Sequence, residues 1–147
     1  MASYQNILCA TDFSEYAHAA YLRGTELAKL YDAKLSLLHV VENFPEDRSN
    51  LQIAPENIDP KEYREEQALS LMSELIQSSK YNDINKVVLF STHSAKQEII
   101  HYAEEQKNDL IIVASHGHHG IGALLGSTAY GISQSSLCDV LIVRANS

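Results

Sequence analysis

Residues 113–131, VASHGHHGIGALLGSTAYG, hold the residue types in this chain that are best suited to bind an anion. Five of the chain's six glycines lie here, and glycine lets backbone N–H groups approach a ligand closely. Gly126, Ser127 and Thr128 come at the predicted start of a helix, where unpaired N–H donors and the positive end of the helix dipole favour a phosphate. These three residues are therefore the candidate phosphate contacts.

The glycines match neither of the two common phosphate-binding motifs. A Walker A loop has the pattern GxxxxGK[ST], but no lysine follows the glycines in this stretch. The dinucleotide fingerprint belongs in the first strand-to-helix turn, where this chain reads ATDFSE and has no glycine. A phosphate site in this chain must therefore be built differently from both.

Three histidines in the same stretch offer a metal site as an alternative. His116, His118 and His119 are close enough in sequence to bind a transition metal, but a firm site usually recruits a further ligand and supporting carboxylates. The sequence identifies none nearby. These residues therefore favour a solvated loop over a dedicated metal site.

Ser115 and His116 suggest a nucleophile with its base. Neighbouring residues on a strand point to opposite sides, however, and the sequence contains neither a GxSxG elbow nor a third member for a triad. We therefore predict no catalytic residue.

Further candidates lie at or just after the ends of the first and second apolar runs. Asp12, in CATDFSE, can cap the following helix together with Ser14, or it can accept hydrogen bonds from the base or sugar of a ligand. His39, in HVV, is more often a hydrogen-bonded core residue than a ligand. Val41 can offer backbone groups and an apolar contact to an aromatic ring.

Five short apolar runs predict the strands that position these residues. Most lack polar alternation, as expected of strands covered on both faces of a parallel sheet. Segments with helical periodicity lie between them, which predicts a doubly wound α/β sheet with its ligand site at the carboxyl ends of the strands. The predicted strands are residues 6–10, 34–41, 86–91, 109–115 and 139–144, and the predicted helices are residues 14–31, 61–79, 94 onward and 126–136.

Local patterns in the helices give further expectations. The third helix begins with SAKQ, a capping box in which the Ser94 hydroxyl caps the helix and Gln97 lies three residues later. Helical spacing in the first helix puts Leu27 and Leu30 near the core face. Residues 42–60, which hold all three prolines, are expected to form a surface excursion.

Length and composition restrict the class of protein. At 147 residues the chain fits one domain, residues 1–147, and its net charge of −8 argues against a partner such as nucleic acid or an anionic membrane. Cys9 and Cys138 lie in apolar stretches without CxxC spacing, so we expect no disulfide framework and a cytoplasmic location. No stretch reaches the ~20 apolar residues of a membrane helix, and no secretion signal is recognisable.

The landmarks ATDFSE, HVV, ASHGHHG, LLGST and CDVLIVR follow an order and spacing that resemble the universal stress protein family over essentially the whole chain. The resemblance implies a five-stranded parallel sheet of order 3-2-1-4-5 with two helices on each face. It also implies a homodimer formed by antiparallel pairing of the last strands, here through Val140, Leu141, Ile142 and Val143. Asp12 and Gly117 would then share the crevice between strands 1 and 4.

Members of that family that bind ATP carry Gly-x-x-Gly, nine residues, and then Gly-Ser or Gly-Thr. In this chain Ala114 replaces the first glycine, Gly117 matches the second, and Gly126 with Ser127 matches the last pair. Only eight residues separate Gly117 from Gly126. One methyl group and a loop one residue shorter do not forbid binding.

The resemblance therefore implies a site for ATP, ADP or AMP, with an Mg²⁺ or Mn²⁺ ion on the phosphates because the loop contains no Lys or Arg. Any hydrolysis should be slow, since no residue is placed to activate water. The alternative is a stress-response interaction protein with a vestigial, empty pocket. The implied nucleotide-binding residues are Ala10, Thr11, Asp12, Val40, Val41, Ala114, Ser115, His116, Gly117, His118, Gly126, Ser127 and Thr128.

Overall fold

The structure is a computed structural model that describes residues 3–42, 59–92, 94–116 and 125–144. All nine predicted elements are present, with ends within two residues of those predicted. The strands are β1 (Asn6–Ala10), β2 (Lys34–Val41), β3 (Ile84–Phe90), β4 (Leu110–Ala114) and β5 (Asp139–Val143). The helices are α1 (Glu15–Tyr31), α2 (Pro60–Ser79), α3 (Ala95–Glu105) and α4 (Ser127–Ser135). The expected surface excursion falls almost entirely outside the described residues.

The five strands form one parallel sheet of order β3-β2-β1-β4-β5, as predicted. The chain moves outward from β1 through β2 to β3, crosses back beside β1 as β4, and then continues outward to β5. The strand order therefore reverses between β1 and β4, which is where ligands bind in sheets of this kind.

Each face of the sheet is covered by two helices, which confirms the predicted layers. On one face, strand residues such as Ile7, Leu37 and Ile112 pack under α1 and α2. On the other face, Leu8, Leu38 and Ile111 pack under α3 and α4. Both sets of strand residues are buried, and this two-sided burial explains why the strands lack polar alternation.

The N-terminus of α3 is capped differently from the prediction. Ser94 occupies the N-cap position, but its hydroxyl makes no capping bond, and the buried Oγ has no hydrogen-bond partner among the described residues. The backbone N–H of Ala95 donates instead to Oε2 of Glu42, over 3.1 Å. The predicted capping box is therefore wrong, because a carboxylate from the end of β2 takes the place of the local hydroxyl and suits the positive end of the helix dipole.

Leu30 is a second departure from the sequence pattern, since 73% of its surface is exposed. The buried face of α1 is set by small residues and one tyrosine: Ala17, Ala20, Tyr21, Gly24 and Ala28. Leu30 lies two residues beyond Ala28, a rotation of about 200° around the helix, and so points away from the sheet. Leu27 packs against the core as predicted.

Candidate functional site

The carboxyl ends of β1, β2 and β4 are neighbours at one edge of the sheet. Ala10, the last residue of β1, lies opposite Leu38 of β2, and the N–H of Thr11 continues the pairing with a bond to the Leu38 carbonyl oxygen at 2.9 Å. On the other side, β1 pairs with β4. Most of the predicted binding residues follow or end these three strands, so the fold brings their segments to one edge.

The turn after β1 fixes Asp12 and starts α1. Asp12 accepts the N–H of Ser14 on Oδ1 at 2.9 Å, and Ser14 caps the helix by accepting the N–H of Ala17 on Oγ at 3.2 Å. The hydroxyl of Thr11, which is buried, accepts the N–H of Phe13 at 3.0 Å. The capping role therefore falls to Ser14, while Asp12 stabilises the turn and remains half-buried at the strand end.

The end of β2 is more enclosed than the turn after β1. Val40 and Val41 are both buried, and the Val41 carbonyl oxygen accepts the N–H of Ser91 at 3.0 Å. His39 is half-buried, and its Nδ1 lies 2.8 Å from the Thr11 carbonyl oxygen. His39 is hydrogen-bonded, as predicted, but it is half-buried at the strand end and does not belong to either core cluster.

The end of β4 corrects one premise of the sequence analysis. Ser115 and His116 were expected to point apart, but Oγ of Ser115 lies 3.0 Å from Nδ1 of His116. Ser115 follows Ala114, the last residue of β4, so strand alternation does not extend to this pair. Ser115 is only 2% exposed, which leaves no room for a substrate to approach its hydroxyl as it would approach a nucleophile. Ala114 and His116 are half-buried beside it.

The N-terminus of α4 lies directly against the end of β4. The N–H of Gly126 donates to the Ser115 carbonyl oxygen at 2.7 Å, and Gly126 is the N-cap residue of α4. No side-chain cap satisfies the first N–H groups of this helix within the described parts of the chain. Ser127 is exposed and Thr128 is half-buried. The arrangement offers backbone donors, two hydroxyls and the positive end of a helix dipole at one point.

Two of the predicted binding residues, Gly117 and His118, lie outside the described residues, as does His119. The shortened loop and the suggested histidine metal site therefore have no structural description. Among residues 3–42, 59–92, 94–116 and 125–144, no group of three or more His, Cys, Asp or Glu side chains is placed to hold a metal ion.

Two residues at this edge were missed by the sequence analysis. Phe13 adopts a φ of 65°, in the left-handed region that a bulky residue rarely adopts, and its ring lies against the imidazole of His39. Glu42 reaches from the end of β2 to the N-terminus of α3. Neither left a local signal, because both roles depend on contacts with residues distant in sequence.

Cys9 and Cys138 are both free cysteines, and complete burial raises the pKa of the Cys9 thiol to about 12. No helix within the described ranges has both the length and the apolar composition needed to cross a membrane.

The fold and the site together define a doubly wound parallel α/β protein with a candidate ligand crevice where its strand order reverses. The chain belongs to the universal stress protein family, whose model matches residues 3–144. Two curated relatives are from Coxiella burnetii. Universal stress protein A homolog 1 is 34% identical over 140 residues, covering 95% of this chain and 96% of the relative. Universal stress protein A homolog 2 is 32% identical over 145 residues, covering 98% and 97%.

Solved structures share the same fold. The universal stress protein UspA from Lactobacillus plantarum matches with a TM-score of 0.78 at 22% identity, covering 98% of this chain and all of that one. A universal stress protein in complex with cAMP matches with a TM-score of 0.71 at 24% identity, covering 99% and 100%. A universal stress protein from Archaeoglobus fulgidus in complex with dAMP matches with a TM-score of 0.65 at 17% identity, covering 96% and 98%.

Proposed function

We propose that this universal stress protein binds an adenine nucleotide at the carboxyl ends of β1, β2 and β4. The observation that carries the proposal is the bond between Gly126 and Ser115, which holds the N-terminus of α4 at the point where the strand order reverses. Phosphates bind helix N-termini at such positions in open parallel sheets. Two proteins of the same fold were solved with cAMP and with dAMP, which supports an adenine nucleotide as the ligand.

The contacts divide between the two sides of the crevice. Asp12, half-buried at the end of β1, is proposed to accept hydrogen bonds from the adenine or ribose. Thr11 is buried and its hydroxyl holds the turn, so its role is to support Asp12. Ser127 and Thr128 are proposed to hold the phosphates through their backbone N–H and hydroxyl groups. Gly126, whose own N–H donates to Ser115, is proposed to let the phosphates approach closely because it has no side chain. The remaining residues of the proposed site are Ala10, Val40, Val41, Ala114, Ser115, His116, Gly117 and His118.

The segment that carries the proposed phosphate contacts has hydrogen-bond donors but no lysine or arginine of its own. Residues 113–131 contain no Lys or Arg, and the chain as a whole carries a net charge of −8. N–H groups and hydroxyls can orient phosphates, but they neutralise little of the charge on a triphosphate. We therefore propose that an Mg²⁺ or Mn²⁺ ion accompanies the phosphates and supplies that neutralisation.

We further propose that the protein is a homodimer paired through β5. β5 is an edge strand of the sheet, so one side of its backbone lacks a strand partner within the described residues. Val140, Leu141 and Ile142 are only half-buried there. The unpaired backbone groups of an apolar edge strand can pair with a second strand, and a second copy of β5 would supply that strand.

The proposal is tested first by mass spectrometry of small molecules released from freshly purified protein, which reports both binding and identity. Calorimetric titration with ATP, ADP, AMP and cAMP, each with Mg²⁺, then gives the affinities. We expect a bound or titratable adenine nucleotide. If no nucleotide is released and millimolar concentrations of all four give no heat, the proposal fails, and an interaction protein with a vestigial pocket replaces it.

A further inference from the structure

His39 extends the hydrogen-bond ladder between β1 and β2 beyond the end of β1. The backbone N–H of Thr11 donates to the carbonyl oxygen of Leu38 at 2.9 Å. The Thr11 carbonyl oxygen then lies 2.8 Å from Nδ1 of His39. Because a carbonyl oxygen can only accept, Nδ1 carries the proton in this bond. A side chain from β2 thus holds the backbone of β1 at the point where it leaves the sheet.

The same imidazole also contacts the other side of the turn. The ring of Phe13 lies against that of His39, with centroids 4.6 Å apart and an angle of 44° between the planes. The φ of 65° at Phe13 is unfavourable for a residue with a side chain, so contacts must stabilise it. Two contacts do so: the ring contact with His39 and the bond from the Phe13 N–H to Oγ1 of Thr11.

Asp12 is the residue between these two contacts. Thr11, before it, and Phe13, after it, both touch His39, so the backbone on each side of Asp12 is held by one side chain. The direction in which the Asp12 carboxylate leaves the turn follows from that backbone. Its bond to the N–H of Ser14 depends on the same geometry.

The imidazole stays neutral in this environment at neutral pH. Burial lowers the pKa of His39 and outweighs the bond to the Thr11 carbonyl, which raises it. Asp12 and Glu42 also raise the pKa, while Arg64 lowers it. Burial costs less free energy for a neutral imidazole than for a charged one, so the neutral ring can stay half-buried and donate its Nδ1–H to Thr11.

We propose that His39 is a positioning residue of the nucleotide site, which orients Asp12 toward the base or ribose through Thr11 and Phe13 without itself touching the nucleotide. The inference rests on the proposed function, since it assigns a role within that site. A histidine that only stabilised the core would change affinity and stability together in every variant. A positioning residue should instead change the affinity most in the variants that lose the donor to the Thr11 carbonyl oxygen.

The experiment compares three substitutions of His39. The amide N–H of His39→Asn can take the place of the Nδ1–H group, whereas the amide of His39→Gln corresponds to Nε2 and cannot reach the Thr11 carbonyl in the same way. His39→Leu keeps apolar volume and removes the donor. Three quantities are measured for each: the affinity for ATP with Mg²⁺, the hydrogen-exchange rate of the Ser14 amide in the ligand-free protein, and the thermal midpoint.

His39→Gln and His39→Leu should weaken ATP binding about tenfold, the effect of losing one net hydrogen bond, and should speed exchange at Ser14. All three variants lose the ring contact with Phe13, but only His39→Asn keeps the donor to Thr11, so its losses in both quantities should be clearly smaller than those of His39→Gln. If His39→Leu does not fold, the pair His39→Asn and His39→Gln decides. Unchanged affinity in His39→Gln, or equal losses in both amide variants, overturns the inference alone. Absence of binding by the wild-type protein overturns the proposed function, and the inference with it.

Discussion

The backbone N–H of Gly126 donates to the carbonyl oxygen of Ser115 over 2.7 Å, so the residue that caps α4 is bonded directly to the residue that follows β4. This bond fixes where the positive end of the α4 dipole lies. A phosphate held there would be beside the end of β4, with the neighbouring strand β1 leading into Asp12. A charge introduced at the start of α4 therefore tests the phosphate side of the site.

Ser127→Glu should weaken nucleotide binding and leave the fold intact. An acidic residue in the first turn of a helix is favourable by about 0.3–1 kcal/mol, so the thermal midpoint should not fall. The added carboxylate would repel the phosphates at close range, and affinity for ATP should fall at least about tenfold. Calorimetry and thermal denaturation measure the two effects.

The matched control for that variant is Ser135→Glu, which makes the same substitution at the exposed last residue of α4. The added carboxylate then lies at the far end of the helix from the proposed phosphate contacts, and the affinity for ATP should equal that of the wild-type protein. Equal losses in both variants would show that net charge alone controls binding. Unchanged affinity in Ser127→Glu would show that the phosphates do not lie at the start of this helix.

Ala114→Gly should destabilise the protein without improving nucleotide binding. The family resemblance implies a glycine at position 114 in members that bind ATP. In this chain the side chain of Ala114 packs against the core cluster under α1 and α2. Replacing alanine with glycine in a strand costs roughly 0.5–1 kcal/mol. We expect that loss of stability in urea denaturation. The affinity for ATP should stay within about threefold of wild type, which corresponds to a change of less than about 1 kcal/mol in the free energy of binding. A large gain in affinity would instead show that the methyl group obstructs the site.

Ile142→Pro should convert the proposed dimer to a monomer. The Val143 carbonyl oxygen faces β4, where it accepts the N–H of Ser115, and successive strand residues alternate, so Ile142 presents its N–H and C=O to the open edge. Proline there removes an outward donor and leaves the bonds to β4 in place. Size-exclusion chromatography with light scattering measures the mass.

The control is Val88→Pro on β3, the opposite edge of the sheet. Ser91 directs its N–H toward β2, so Val88, three residues earlier, also faces outward. Both variants lose a partly buried aliphatic side chain, and Val88→Pro should remain dimeric. A monomer in both cases, or a dimer in both, would contradict pairing through β5.

The elements and their order could be predicted because they depend on patterns that repeat along the chain. Continuous apolar runs identify strands buried on both faces, and the structure buries Leu8 and Ile111 on one face and Ile7 and Ile112 on the other. The landmark motifs that follow these runs gave the strand order. They also pointed to the carboxyl edge, where most of the candidate binding residues lie.

The errors concern contacts between residues that are distant in sequence or just past an element's end. Glu42 caps α3 from 53 residues away, and no local pattern distinguishes it from other acids. Ser115 meets His116 because the strand has already ended. Leu30 is exposed because small residues, not the large aliphatic ones, define the buried face of α1.

Cys138 should react with iodoacetamide in the native protein at pH 8, and Cys9 should not. The thiolate is the reactive form, and complete burial both excludes the reagent from Cys9 and raises its pKa to about 12. Cys138 is only half-buried. Peptide mass spectrometry locates the label, and Cys138→Ser should leave the native protein unlabelled until it is denatured. Labelling of native Cys9 would contradict the packing of β1.

Acidification below pH 6.5 should destabilise the wild-type protein more than the His39→Asn variant. Burial lowers the pKa of folded His39 below its ordinary value of 6.5, although the bond to Thr11 opposes this. Unfolding therefore takes up a proton at pH values between the folded and the unfolded pKa. The stability that depends on neutral His39 is complete above pH 6.5 and is lost as the pH falls through the folded pKa.

Urea denaturation at pH 7, 6 and 5 gives the free energy of unfolding for both proteins. The other histidines are common to both, so the difference between the two pH dependences isolates His39. The wild-type free energy should fall more steeply toward pH 5, even if the two proteins differ in stability at pH 7. Parallel curves would mean that the imidazole titrates as it does in the unfolded chain, and would contradict a pKa lowered by burial between Thr11 and Phe13.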